Sequence, residues 1–178
     1  AACALAEEQK SERNPNAYAE DEQNFKNQDI SFMTNVNSTL YVRKRDYNTT
    51  TPYRCLSARK AGEYGNGSYV YTLSARLNGT SFSYNVTSTP EKTGNHSTNN
   101  SIVYEEFPGQ GPTHHKLMTT DDNHNCFLFA TEYAPDVYGC LLVVKEDIQG
   151  IPQACLTVYN QQCQTGVDLY QNNCTKSA

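Results

Sequence analysis

Apolar and polar residues alternate with a period of two along most of the chain, a pattern typical of β-strands. The clearest alternation is in Tyr69–Leu77, and a returning strand begins at Thr80 after the two-residue turn Asn78-Gly79. Asparagine and glycine both tolerate the positive φ of a type I′ hairpin turn, so the turn type is predicted as well. We predict eight strands, over residues 40–46, 53–60, 68–77, 80–88, 101–107, 114–120, 126–133 and 138–144.

Helices are predicted only near the two ends of the chain. A polar, irregular arm over residues 1–18 leads into a short helix over 17–26. A second helix is predicted over 152–164, because proline at its start suits a first helical turn and apolar residues then recur at helical spacing. With a tail over 165–178, the 178 residues are predicted to form one domain.

Eight short, evenly spaced strands followed by a helix are typical of an antiparallel up-and-down barrel or of a two-sheet sandwich. A barrel of about eight strands encloses one small ligand, and its closure removes exposed sheet edges. The chain has no tryptophan, whereas an immunoglobulin-like sandwich usually has one in its core. We therefore predict an all-β fold, an eight-stranded barrel over residues 38–144 with the C-terminal helix packed outside it.

Composition limits the partners of the protein. Only 19% of the residues are charged and the formal net charge is −5, so neither a nucleic acid nor an anionic membrane has electrostatic support. No apolar run approaches the ~18 residues of a membrane span, and Ala1 to Leu5 lack the features of a signal peptide. We expect a mature chain from which a leader has been removed, and we expect it to be a monomer.

Cysteines and glycosylation motifs indicate the compartment. The seven cysteines include no C-x-x-C pair, so a zinc site is not predicted. Scattered cysteines in a small chain typically form disulfides in an oxidising compartment. Eight N-x-[S/T] motifs, several times the number that chance gives, add to the prediction of a secreted, extracellular glycoprotein. They begin at Asn37, Asn48, Asn66, Asn78, Asn85, Asn95, Asn99 and Asn173.

Catalytic motifs are missing from the sequence. It contains no G-x-S-x-G, no H-E-x-x-H and no glycine-rich phosphate loop. His114 and His115 are adjacent, and adjacent residues of a strand point to opposite faces, so the two do not easily chelate one metal. We expect a binding protein without catalytic residues, metal or cofactor, whose partner is a small hydrophobic or amphipathic ligand.

The last third of the chain has a specific spacing of cysteine, aromatic and acidic residues: Asp121-Asp122-Asn123-His124-Asn125-Cys126, Tyr138, Asp147, Ile151-Pro152-x-x-Cys155 and Asp168-x-Tyr170-x-x-x-Cys174. Over roughly residues 121–174 this order resembles the tick salivary lipocalins, a group that includes the histamine-binding proteins. A weaker resemblance covers Leu40 to Cys55. The resemblance implies a lipocalin barrel that a feeding tick secretes to sequester an inflammatory mediator of its host.

The same resemblance implies two disulfides, Cys55–Cys174 and Cys126–Cys155. The first would anchor the tail to the barrel, and the second would fix the helix to a strand. Three cysteines remain. We expect Cys3–Cys163, which would anchor the N-terminal arm to the helix, with Cys3–Cys140 as the alternative; either bond leaves one cysteine over.

The sequence allows two orientations of the first strand. If Tyr41 points inward, alternation places Arg43, Arg45 and Tyr47 on the same inner face. The alternative has Leu40 and Val42 inside and the arginines in solvent. The resemblance favours the first arrangement, because the aromatic residue that matches Tyr47 normally lines the pocket.

Amine-binding members of the family have acidic residues at two pocket positions where this chain has Phe127 and Leu142. The resemblance therefore argues against histamine or serotonin as the ligand. Farther along, His115 and Leu117 share one strand face, with a surface position as the alternative for His115. An apolar wall is predicted from Phe127, Phe129, Leu142 and Val144.

An apolar wall with one or two inward arginines suits an amphipathic acid, because arginine stays charged and can bind a carboxylate with two hydrogen bonds. With the resemblance, this favours leukotriene B4 or a related fatty acid. One alternative is a biogenic-amine scavenger that uses other acids, such as Asp46 or Glu132. Another is an immunomodulator that binds a protein partner through its outer surface.

Overall fold

The computed structural model describes residues 13–176, and its strands form one antiparallel sheet that closes into a barrel. Its eight barrel strands are β1 Leu40–Arg45, β2 Arg54–Glu63, β3 Tyr69–Leu77, β4 Thr80–Glu91, β5 Ser101–Tyr104, β6 Thr113–Thr120, β7 Cys126–Ala134 and β8 Val137–Lys145. Each strand pairs with the next along the chain, and β8 pairs with β1. Because β1 also pairs with β2, through Leu40 opposite Ala58, the barrel closes as predicted.

The hairpin between β3 and β4 has the predicted turn. Asn78 and Gly79 both have positive φ, 50° and 78°, as a type I′ turn requires. Strand β5 ends at Tyr104 and not at the predicted Phe107. Pro108 has no backbone N–H, and Gly109 adopts a φ of 84° that extended strands do not use, so this segment leaves the sheet as a loop.

Because β5 is short, part of the barrel wall lacks backbone hydrogen bonds between neighbouring strands. Only Thr89, Pro90 and Glu91 of β4 pair with β5, so the first part of β4, residues 80–88, has no neighbouring strand on that side within residues 13–176. The loop over residues 105–112 covers this gap, and the Tyr84 hydroxyl donates a hydrogen bond to the carbonyl oxygen of Glu106. The loop thereby places its own residues next to the barrel interior, and a longer β5 would have placed them elsewhere.

The N-terminal segment is divided more finely than predicted. In place of one helix over 17–26 there are α1 Pro15–Glu20, which begins inside the predicted arm, and a 3₁₀ helix Glu22–Asn27. Asp21 separates them because its backbone is extended and its carboxylate accepts a hydrogen bond from the Gln23 N–H. A further turn, α2 Ser31–Thr34, precedes β1. Residues 1–12 of the predicted arm lie outside the described part.

The C-terminal helix lies against the outside of the barrel, as predicted. It is α3 Gln153–Gln162, and the two-residue strand β9 Val167–Asp168 then pairs with the second half of β1. Strands β7 and β8 are therefore apolar on both faces, one facing the interior and one facing α3. None of the helices within residues 13–176 is long and apolar enough to cross a membrane.

Three disulfides join the elements, and two of them, Cys55–Cys174 and Cys126–Cys155, are the predicted ones. The third joins Cys140 to Cys163, so the predicted bond from Cys3 to Cys163 and its alternative to Cys140 are wrong. The physical reason is the packing of α3, which brings the Cα atoms of Cys140 and Cys163 to 5.9 Å. Cys3 itself lies outside the described residues.

Candidate ligand-binding site

A cavity of about 890 Å³ lies inside the barrel. Its apolar wall includes Leu40, Val42, Leu56, Leu73, Leu141 and Val143. Aromatic residues line its outer end, where Phe82 is 46% exposed and Phe107 of the covering loop is 50% exposed. Two opposite charges, Arg45 and Glu106, also line it. The cavity thus combines a largely apolar body with a small polar region, as is usual for small-molecule sites.

Strand β1 combines the two orientations that its sequence allows, one in its first half and the other in its second half. Its pairing with β8 shifts between Val42 and Lys44, which is a β-bulge at Arg43. Leu40 and Val42 line the cavity before the bulge, and Arg45 lines it after the bulge. One extra residue reverses the alternation, so neither strict pattern describes the whole strand.

Tyr41 and Arg43 consequently lie outside the barrel, and their predicted place in the pocket is wrong. The Tyr41 hydroxyl donates a hydrogen bond to the carbonyl oxygen of Cys174. The Arg43 guanidinium lies 3.9 Å from the centre of the Tyr170 ring and donates to the carbonyl oxygen of Ile148. Both side chains hold the C-terminal tail against β1.

Arg45 is 6% exposed and is held by backbone oxygens. Its Nε donates to the carbonyl oxygen of Tyr47 and its Nη2 to that of Asn48, both at 3.0 Å. Its Nη1 has no hydrogen-bond partner within residues 13–176, and no carboxylate of these residues lies within 4.0 Å of the guanidinium. Arg45 therefore lines the cavity with a guanidinium that two hydrogen bonds fix in place and whose Nη1 has no partner among the described residues.

Glu106 is bound to two buried partners through one oxygen. Its Oε1 accepts hydrogen bonds from the Tyr47 hydroxyl at 2.6 Å and from His115 Nε2 at 2.8 Å. The other ring nitrogen of His115, Nδ1, lies 3.2 Å from the carbonyl oxygen of Ile102, and the ring stacks on Tyr104 at 4.0 Å. Both nitrogens of His115 face oxygen atoms, so the ring is held from both sides.

Glu106 is held as an anion. Burial raises the pKa of its carboxyl, but the hydrogen bond and charge of His115, the Tyr47 hydroxyl and the charge of Arg45 outweigh burial, so the pKa lies below its ordinary value. Burial, and then the charge of Glu106, raise the pKa of Tyr47 well above its ordinary value. Tyr47 therefore remains a hydrogen-bond donor to the carboxylate.

The remaining predicted pocket residues divide into two groups. Leu117, Phe127 and Phe129 are buried in the barrel core, and Phe129 also lines a small second cavity of about 40 Å³. Leu142 and Val144 face the opposite way, in the apolar layer beneath α3, so their predicted place in the pocket is wrong.

Leu141 and Val143 of β8 take the places predicted for Leu142 and Val144. Phe127 pairs with Val143 and Phe129 with Leu141, and paired residues share a face of the sheet. The sequence of β8 is apolar at all four positions, so its pattern does not identify the inner face. Of the ten predicted ligand-binding residues, Arg45 is the one that lines the large cavity.

The acids named as alternatives for binding an amine are engaged elsewhere. The Asp46 carboxylate accepts hydrogen bonds from the backbone N–H groups of Cys140 and Gln164, and Glu132 accepts one from the Tyr138 hydroxyl. Asp46 also lies near the sulfurs of Cys140 and Cys163, but their disulfide leaves no thiolate for a metal. Sequence reasoning missed Glu106, because it placed this glutamate inside the predicted strand 101–107, where no signal shows that a loop brings it to the cavity.

The closed antiparallel barrel, the outer C-terminal helix and the interior cavity define a lipocalin-like protein, a class that binds small ligands. The sequence model of the tick histamine-binding proteins matches residues 18–176, and the chain belongs to this family. No curated protein matches the chain in sequence.

Two solved structures support the fold. Japanin from Rhipicephalus appendiculatus, in a structure with bound cholesterol, superposes with a TM-score of 0.59 at 14% identity, over 76% of this chain and 93% of that one. Lobster apocrustacyanin A1 superposes with a TM-score of 0.53 at 12% identity, over 90% and 87% of the two chains. At these identities the likeness concerns the fold alone.

Proposed function

We propose that this protein is secreted in tick saliva and sequesters an amphipathic lipid acid of the host, such as leukotriene B4 or a related fatty acid. The observation that carries the proposal is Arg45, a buried guanidinium that lines a largely apolar cavity. Among the described residues its Nη1 has no hydrogen-bond partner, and no carboxylate forms an ion pair with it. A buried cation without an ion pair is costly unless a ligand compensates it. A ligand carboxylate at Arg45 would provide that compensation.

The size and lining of the cavity suit a lipid tail. Its volume of about 890 Å³ lies within the range of roughly 300–1,000 Å³ that is usual for pockets of drug-sized ligands. Each methylene that the ligand buries against the leucine and valine wall contributes about 0.8 kcal/mol. The open aromatic end beside Phe82 and Phe107 would allow a long ligand to enter.

A biogenic amine is the second candidate, and the anionic Glu106 is the observation that favours it. The surroundings of Glu106 argue against it, because the carboxylate already accepts two hydrogen bonds and the charge of Arg45 acts on it. An ammonium group placed there would meet the like charge of Arg45, which disfavours it. We therefore expect weak binding of histamine and serotonin.

The test compares Arg45→Met with Arg43→Met, which removes the same charge from the same strand but from outside the barrel. Calorimetry would measure the affinity for leukotriene B4, arachidonate, cholesterol, histamine and serotonin; intrinsic fluorescence is a poor probe because the chain has no tryptophan. Losing a hydrogen bond to a charged group costs about 1.5–3 kcal/mol, so Arg45→Met should weaken lipid-acid binding about 10- to 100-fold.

The control variant Arg43→Met should bind the lipid acids as the wild type does. Equal losses in both variants, or tight binding of an amine or of cholesterol without any binding of acids, would contradict the proposal. A lipid that co-purifies with the protein from a eukaryotic host, seen by native mass spectrometry, would support it.

Secretion is part of the proposal and rests on the disulfides and the glycosylation motifs. The asparagines of all eight motifs are exposed, as attachment of a glycan requires. Three disulfides between buried cysteines are consistent with an oxidising compartment. Mass spectrometry before and after enzymatic deglycosylation of protein from a eukaryotic host would count the glycans, and finding none would contradict this part.

A further inference from the structure

We propose that Glu106 accepts a hydrogen bond from a hydroxyl group of the bound lipid, so that the cavity selects hydroxylated lipid acids over unsubstituted acids of the same length. This inference rests on the proposed function and names the kind of lipid that the same cavity takes.

Glu106 has an unused acceptor. Both of its hydrogen bonds from side chains end on Oε1, and Oε2 accepts none from the residues that the structure describes. Oε2 is also not sealed in the protein, since the fully enclosed side-chain atoms without partners are those of Arg43, Ser88 and Thr131. Because Glu106 lines the cavity, its second oxygen is available to a ligand there.

Hydrogen bonds to both the side chain and the backbone of Glu106 fix the position of this acceptor. Tyr47 and His115 hold the carboxylate, and the Tyr84 hydroxyl holds the backbone carbonyl of the same residue. The Tyr47 ring in turn stacks on Tyr133 at 5.1 Å. A rigid acceptor loses little entropy when it binds a donor, and it cannot turn away from a ligand that offers none.

The charge balance favours a hydroxyl donor. Arg45 and Glu106 line the same cavity, but their charged atoms are not within the 4.0 Å of an ion pair. Glu106 is paired with His115 through Oε1, so the groups that remain for a ligand are Oε2 of Glu106 and Nη1 of Arg45. A lipid with a carboxylate for Arg45 and a hydroxyl for Glu106 satisfies both. An acid without a hydroxyl leaves an anionic oxygen without a donor, and sites built around a polar partner strongly reject analogues that lack it.

Two ligands of equal length provide the test: ricinoleate, which carries one hydroxyl on its chain, and oleate, which carries none. Calorimetry with the wild type should show that ricinoleate binds at least about 10-fold more tightly than oleate. Glu106→Gln should reduce this preference to about 2-fold or less. Glu105→Gln removes the same charge one residue earlier, from a side chain that accepts a hydrogen bond from the Gly109 N–H, and should keep the preference.

A second comparison changes the ligand and keeps the wild-type protein, so its result does not depend on the folding of a variant. The methyl ether of ricinoleate keeps the oxygen but has no hydroxyl donor, so the wild type should bind it about as weakly as oleate. Equal binding of ricinoleate, its ether and oleate would overturn the role of Glu106 while leaving the proposed function intact. Failure to bind any of the three ligands would overturn both the role of Glu106 and the proposed function. Histamine binding that is lost in Glu106→Gln would show that Glu106 binds an ammonium group and not a hydroxyl group.

Discussion

The disulfide between Cys140 and Cys163 makes a quantitative prediction about stability. Replacing both cysteines, in the variant Cys140→Ala with Cys163→Ala, frees a loop that the bond closes over a sequence separation of 23 residues. The chain-entropy relation for a loop of this size gives about 3.4 kcal/mol at room temperature. Both side chains are buried, so the cavities left by the sulfur atoms should add to the loss.

Urea unfolding followed by circular dichroism measures this change. With a slope of about 1–3 kcal/mol per molar urea, a loss of about 3.4 kcal/mol lowers the midpoint by about 1–3 M. The affinity for a lipid acid should change little, because the bond lies between α3 and the outer face of β8. Cys3→Ala is the control, and it should unfold at the wild-type midpoint, since the six cysteines of residues 13–176 pair with one another.

Two results would refute this reasoning. One is a Cys3→Ala variant that loses as much stability as the double variant. The other is a peptide map of the native protein in which Cys3 is bonded to Cys163 or Cys140. Either result would place α3 differently on the barrel from the packing described above.

Three further predictions follow, two from the packing and one from the charge of Glu106. Leu142→Ala should cost about 2–5 kcal/mol in urea unfolding and leave ligand affinity unchanged, whereas Leu141→Ala should weaken lipid binding in calorimetry; the reverse would contradict the assigned faces of β8. Gly139→Ala should cost about 1–3 kcal/mol, because its Cβ would lie 2.6 Å from Cδ1 of Tyr47; an unchanged melting temperature would contradict that contact. Because the pKa of folded Glu106 is lowered, its contribution to stability is present at neutral pH and is lost as the pH falls below about 4.5 towards the folded pKa. The stability difference between wild type and Glu106→Gln should therefore shrink between about pH 7 and pH 3, and a constant difference would contradict the lowered pKa.

Features that depend on neighbours in sequence were predictable. The alternation in β3, the Asn78-Gly79 turn and the eight-strand order follow from local residue preferences, and the structure has all three. The disulfides Cys55–Cys174 and Cys126–Cys155 came from the family resemblance and are also present. Cys140–Cys163 could not be predicted in this way, because it depends on how α3 lies against β8.

The sequence by itself determined the strands, the barrel and the family, since period-two patterning, turn residues and cysteine spacing are written along the chain. Only the tertiary structure decided which residues face the ligand. The bulge at Arg43 reverses the faces of β1 and leaves Arg45 as the inward arginine. The apolar β8 has no contrast between its faces until α3 covers one of them, and Glu106 reaches the cavity through a loop that closes the gap beside β4. These are contacts between distant segments, and alternation along a strand contains no information about them.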